Sequence, residues 1–92
     1  MVNMLIHHRV ADYDAWKPAF DENDAARRSS GGGDYILFRG VDDPNEVVVV
    51  FEWDSVDNAR AFSQSDDLRE AMQRAGVMGP PTVVYMEQDN GS

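Results

Sequence analysis

Residues 46–54, EVVVVFEWD, are apolar on both faces of any strand they form. Side chains alternate across a strand. Val47, Val49, Phe51 and Trp53 therefore share one face, and Val48 and Val50 share the other with Glu52 and Asp54. A sheet with one wet face carries polar residues throughout one parity, and this strand does not. Tyr35 and Leu37 alternate with Ile36 and Phe38 in the segment YILFRGV at 35–41, and Val83 and Tyr85 alternate with Thr82, Val84 and Met86 in TVVYMEQ at 82–88. Both faces of the resulting sheet need cover.

The rest of the chain supplies cover for one face. VNMLIHHRV at 2–10 reads as a first strand. In the segment after it, Tyr13, Trp16 and Phe20 fall at i, i+3 and i+7 and form one helical stripe. Asp12 is its N-cap candidate, and Pro18 should kink this helix or end a short lead-in turn. SSGGGD at 29–34 reads as a loop, and DDPN at 42–45 as a turn. Ser55 or Asp54 caps a second helical segment with Val56, Ala59 and Phe62. Ser65 restarts it, with Leu68, Ala71, Met72 and Ala75 on one face. Gly76 is a natural stop, and GPP at 79–81 should turn the chain into the last strand.

The order β-α-β-β-α-β, with right-handed crossovers, gives a ferredoxin-like α+β fold. It has one four-stranded antiparallel sheet with two helices on one face. Nothing in the chain is left for the other face. The simplest cover is the same sheet of a second copy, in a symmetric homodimer. A monomer with a moderate apolar patch is the competing arrangement.

Length sets the same limits. Residues 1–92 make one domain, small enough that a partner subunit is expected. The absence of cysteine excludes disulfides, zinc-thiolate sites and thiol nucleophiles. No apolar run approaches the roughly 20 residues of a membrane helix. The opening MVNMLI lacks the basic start and cleavage site of a signal peptide, so the expected location is cytoplasmic. Seventeen acids against eight bases give a net charge of −9. That disfavours nucleic acid and anionic membranes as partners. The acidity fits GC-rich codons or a salt-loving host.

The two histidines, His7 and His8, are adjacent in the first strand. Neighbouring strand residues point apart, so the two rings cannot grip one metal ion. Val2, Met4, Ile6, His8 and Val10 form the more apolar parity, which should meet the helices. Asn3, Leu5, His7 and Arg9 should meet the sheet–sheet interface or its rim.

HRVADYDAWKPAFDE, the glycine-rich loop, DDPNEVVVVFEWDSVDNARAF and DLREAMQRAGV together resemble the dimeric α/β-barrel superfamily, nearest to its antibiotic-biosynthesis-monooxygenase-like and "cyclase" proteins. The resemblance spans nearly the whole chain. It implies a dimeric α/β barrel, with the substrate pocket between sheet and helices. It also implies enzymes that need no metal or flavin and act on aromatic or polyketide-like compounds. The same fold hosts unrelated activities and members with none known, so a non-catalytic ligand-binding or stress-response dimer is the alternative. Carried onto this chain, the resemblance puts His8 beside the pocket, with Trp16, Phe20 and Phe51 or Trp53 as apolar walls. In haem-degrading relatives a histidine of the second long helix holds the iron, and residues 55–75 contain none.

Each candidate has a structural reading as well. His8 is a general base, since histidine titrates near neutral pH, or a core ring bonded to backbone. Arg27 or Arg28 anchors an acidic or enolate group, or neutralises a helix C-terminus. Glu52 is an acid–base group in an apolar strand, or half of an ion pair with an arginine. Trp16 and Trp53 are core residues before they are pocket residues. GGG at 31–33 is no phosphate loop, because no lysine follows at the required spacing. It reads as a hinge or lid.

Overall fold

The computed structural model describes residues 2–88. Eight elements follow one another: β1 (Val2–Val10), α1 (Tyr13–Glu22), α2 (Asp24–Ser29), β2 (Gly32–Arg39), β3 (Glu46–Trp53), α3 (Val56–Ser63), α4 (Asp66–Arg74) and β4 (Val77–Glu87). The strands form one antiparallel sheet in the order β2-β3-β1-β4. This is the ferredoxin-like arrangement, with each crossover helix divided in two.

Local chemistry sets the helix ends. The Asp12 carboxylate accepts from the Asp14 N–H and caps α1. The Ser55 and Ser65 hydroxyls accept from the Asn58 and Leu68 N–H groups and cap α3 and α4. Each bond satisfies a donor the helix itself leaves open. Pro18 lies inside α1, which continues to Glu22, and the break falls later at Asn23. Gly76 follows α4 at φ +84°, the left-handed region where a stop needs glycine.

Two expectations change. Gly32 and Gly33 are not loop. They open β2, with Gly32 opposite Trp53, and Gly31 alone takes a left-handed φ of +112°. The GPP segment is not a turn either, for β4 runs straight through it. Proline is tolerated there because β4 is an edge strand, where a missing N–H breaks no ladder on the open side. The pairing absorbs it as a bulge. His7 faces Thr82 and Arg9 faces Met78, so three residues of β4 stand opposite His8.

The face assignments hold. Met4, Ile6, His8 and Val10 of β1 and Val47, Val49, Phe51 and Trp53 of β3 are buried beneath the helices. The opposite face carries one apolar row across all four strands, Val84–Leu5–Val50–Ile36, set by the register. Ile36 and Phe38 there are 61% and 51% exposed. His7 lies on this face and bonds Glu46 at 2.8 Å. Glu52 lies there too, opposite Asn3, and among the described residues it pairs with no arginine.

Candidate active site

Between the sheet and the helices is a cavity of about 50 Å³. β1 and β3 supply its floor through Ile6, His8, Val49 and Phe51. α1 and α2 supply one wall through Trp16, Phe20 and Arg27. Leu68, Ala71 and Met72 of α4, with Phe62 of α3, supply the other. The volume holds a few waters and falls short of the ~300 Å³ typical of the smaller ligand sites. α4 buries only Leu68 fully, so the wall facing α1 is lightly anchored.

His8 reaches the cavity because it shares the buried parity of β1. It is 8% exposed. Its ring meets Trp16 edge-on, with centroids 5.5 Å apart, and Trp16 stacks on Phe20 at 4.8 Å. Burial holds the His8 imidazole below the ordinary histidine range, so the ring is neutral at neutral pH. Its Nδ1 is buried and, among the described residues, has no hydrogen-bond partner. An unpaired buried polar atom costs about 1–3 kcal/mol, so it calls for a partner such as a water or a ligand in the cavity.

Arg27 is the second buried polar group, 3% exposed. It comes from the last turn of α2, donates to the Phe20 carbonyl at 3.0 Å, and lies 4.1 Å above the Phe20 ring. Burial pulls the guanidinium below its usual value and Asp24 opposes that. The group stays charged at neutral pH. It lines an apolar cavity as a fixed cation. Gly32 makes this packing possible, since a Cβ there would sit 2.9 Å from the Arg27 carbonyl oxygen.

The structure thus brings His8, Trp16, Phe20, Arg27 and Phe51 to one cavity. Trp53 does not line it. Trp53 is fully buried one step along β3, 5.2 Å from Phe62, with its Nε1 unpaired among the described residues. Arg28 points away and pairs with Asp24 at 3.0 Å and Asp34 at 3.5 Å. The Leu68–Ala75 stripe was visible as a helix face, and its alanines are what leave the space. Asn23, which also lines the cavity, carried no signal beyond being polar. Among the described residues, no three His, Asp or Glu side chains are placed to hold one metal ion, and no helix is long and apolar enough to cross a membrane.

Solved structures share the whole fold. A Bordetella bronchiseptica protein described under antibiotic biosynthesis monooxygenases superposes with a TM-score of 0.78 at 19% identity, over 96% of both chains. SnoaB, a cofactor-independent oxygenase from Streptomyces nogalater, gives 0.71 at 17% identity over 99% of this chain and 97% of its own. The ActVA-Orf6 monooxygenase of Streptomyces coelicolor, in complex with nanaomycin D, gives 0.69 at 21% identity over 99% and 89%. At these identities the likeness concerns the fold. No curated protein matches the sequence. The family profile described as antibiotic biosynthesis monooxygenase matches residues 2–74. With that match over most of its length, the chain belongs to the antibiotic biosynthesis monooxygenase family.

Proposed function

We propose that this chain is a cofactor-independent monooxygenase or cyclase acting on a flat aromatic or polyketide-like compound, with His8 as its base. The observation that carries the reading is the His8 Nδ1, buried without a partner beside a cavity walled by aromatic faces. A neutral imidazole there takes a phenolic or α-carbonyl proton. The anion that forms lies in the same cavity as the Arg27 guanidinium, a fixed cation in apolar surroundings. In an oxygenase reaction the electron-rich anion, not a bound cofactor, reduces dioxygen: one oxygen atom forms the new C–O bond, the other leaves as water, and the substrate, oxidised to a quinone-type product, supplies the electrons and protons. Trp16, Phe20 and Phe51 hold the ring. Ring entry displaces water and moves the α4 wall, where Met72 is the most adaptable residue. SnoaB is itself a cofactor-independent oxygenase and ActVA-Orf6 a monooxygenase in complex with nanaomycin D, which supports the class.

The chain is further proposed to act as one domain in the cytoplasm and to pair through its open sheet face. The alternative is a small-ligand-binding or stress-response module without turnover. Dioxygen uptake with a panel of polycyclic phenols separates them. Turnover that falls about 100-fold or more in His8→Gln, with an unchanged circular dichroism spectrum, supports the catalytic reading. Turnover equal to the unmodified protein removes His8 as base; no uptake with any phenol removes the oxygenase, and no product of any kind by mass spectrometry favours the binding module.

A further inference from the structure

Beside the inner cavity lies a second, larger hollow of about 710 Å³. It runs from the end of α2 and the Ser29–Gly31 turn across to α3 and the start of α4. Asn23, Phe62 and Leu68 line both spaces, so the two adjoin across these three side chains. The inner space is apolar apart from His8, Arg27 and Asn23. The outer one is polar, with Arg28, Ser30, Asp54, Asn58 and Asp67 around it.

The outer charges are already engaged in part. Arg28 is shared by Asp24 and Asp34. The Asp54 carboxylate accepts from the Asn58 amide at 3.0 and 3.2 Å. An anionic group placed there meets Asp54 and Asp67 with Arg28 spoken for. An ammonium would meet Asp54 and Asp67, but it offers donors only and leaves the Asn23 amide N–H groups without an acceptor. Hydroxyls both donate and accept, as the mixed set of amide, carboxylate, guanidinium and serine groups requires. Where the two adjoin, the Asn23 amide makes no capping bond to α2, and among the described residues it pairs with no other side chain. The unpartnered His8 Nδ1 of the adjoining inner space points to a ligand there.

We infer that the ligand is bipartite: a flat ring in the inner cavity bearing a neutral, polyhydroxylated, sugar-like substituent that passes Asn23 and lies in the outer hollow. This rests on the inner cavity being a ring site. Asn23 is the specificity residue for the substituent, and Phe62 the apolar surface where ring and substituent join.

Isothermal titration of the full chain with 2-naphthol, 2-naphthyl β-D-glucopyranoside and 2-naphthyl phosphate tests it. The glucoside should bind about fivefold or more tightly than naphthol, the worth of one net hydrogen bond or more. The phosphate should gain nothing over naphthol. Asn23→Leu should bring the glucoside-to-naphthol ratio to within about twofold. Ala61→Trp, an exposed substitution that fills the outer hollow from α3, should do the same and serves if the first variant does not fold. Naphthol bound with no preference for the glucoside, or a preference for the phosphate, overturns the outer subsite and leaves the ring site standing. Failure of all three ligands to bind overturns both.

Discussion

The His8 imidazole stands edge-on to the Trp16 indole at an interplanar angle of 71°, with centroids 5.5 Å apart. Imidazolium at that distance quenches indole emission, whereas neutral imidazole quenches far less. In a Trp53→Phe background, Trp16 fluorescence therefore reports the His8 titration. It should fall as pH drops, with a midpoint below 6.5, because burial disfavours the charged ring. The transition should vanish in His8→Gln. A midpoint at or above 6.5 would contradict the burial argument.

The same shift makes stability depend on pH. A histidine whose folded pKa is depressed binds fewer protons folded than unfolded. The stability it contributes is complete above the unfolded value near 6.5. It is lost as pH falls from there through the lower folded value. His8→Leu removes the titration and leaves the half-buried His7–Glu46 pair in place. Between pH 7 and pH 5 the melting temperature of the unmodified protein should drop more than that of His8→Leu. Parallel curves would sink the prediction.

These arguments depend on which way His8 faces, and that much was legible in the sequence. Strand periodicity is 2, so once β1 is a strand, His7 and His8 must part, and the apolar company of His8 sets its side. Phe51 was legible for the same reason, and Trp16 and Phe20 from their helical spacing with Tyr13. Trp53 shows the limit. Parity assigns a face but not the position along the strand, and the register that puts Trp53 beneath α3 comes from pairing with Val2 and Gly32. Pro80 and Pro81 misled because proline forbids a strand only where its N–H is needed, and the place of β4 at the sheet edge is a property of the whole topology. Gly32 and Gly33 have no side chains to betray a strand. Asn23 reached the cavity because the helix broke there and not at Pro18, a choice made by packing.

Gly32 ties the loop to the site, so it is open to test. A Cβ would lie 2.9 Å from the Arg27 backbone carbonyl oxygen, which cannot swing aside as a side chain can. Gly32→Ala should push α2 from β2 and cost about 1–3 kcal/mol, a fall of several degrees or more in melting temperature for a chain of this length. It should also shift Arg27 over the Phe20 ring. An unchanged melting temperature would show that the α2–β2 junction yields freely.

The open sheet face supplies the remaining test. Val84, Leu5, Val50 and Ile36 line up across the four strands, beside Phe38 at 51% exposure. Helices cover only the other side, and contiguous exposed apolar patches mark interaction sites. In the proposed dimer a second copy would meet this face with the same apolar row, as isologous two-fold pairing requires. Sedimentation at micromolar concentration should give roughly twice the chain mass of 10.3 kDa. Ile36→Lys places a charge at 61% exposure, where the folded monomer tolerates it and a sheet-to-sheet interface does not. It should halve the mass and leave the circular dichroism spectrum intact. A 10.3 kDa species from the unmodified protein, or a dimer indifferent to Ile36→Lys, would remove the sheet face as the contact.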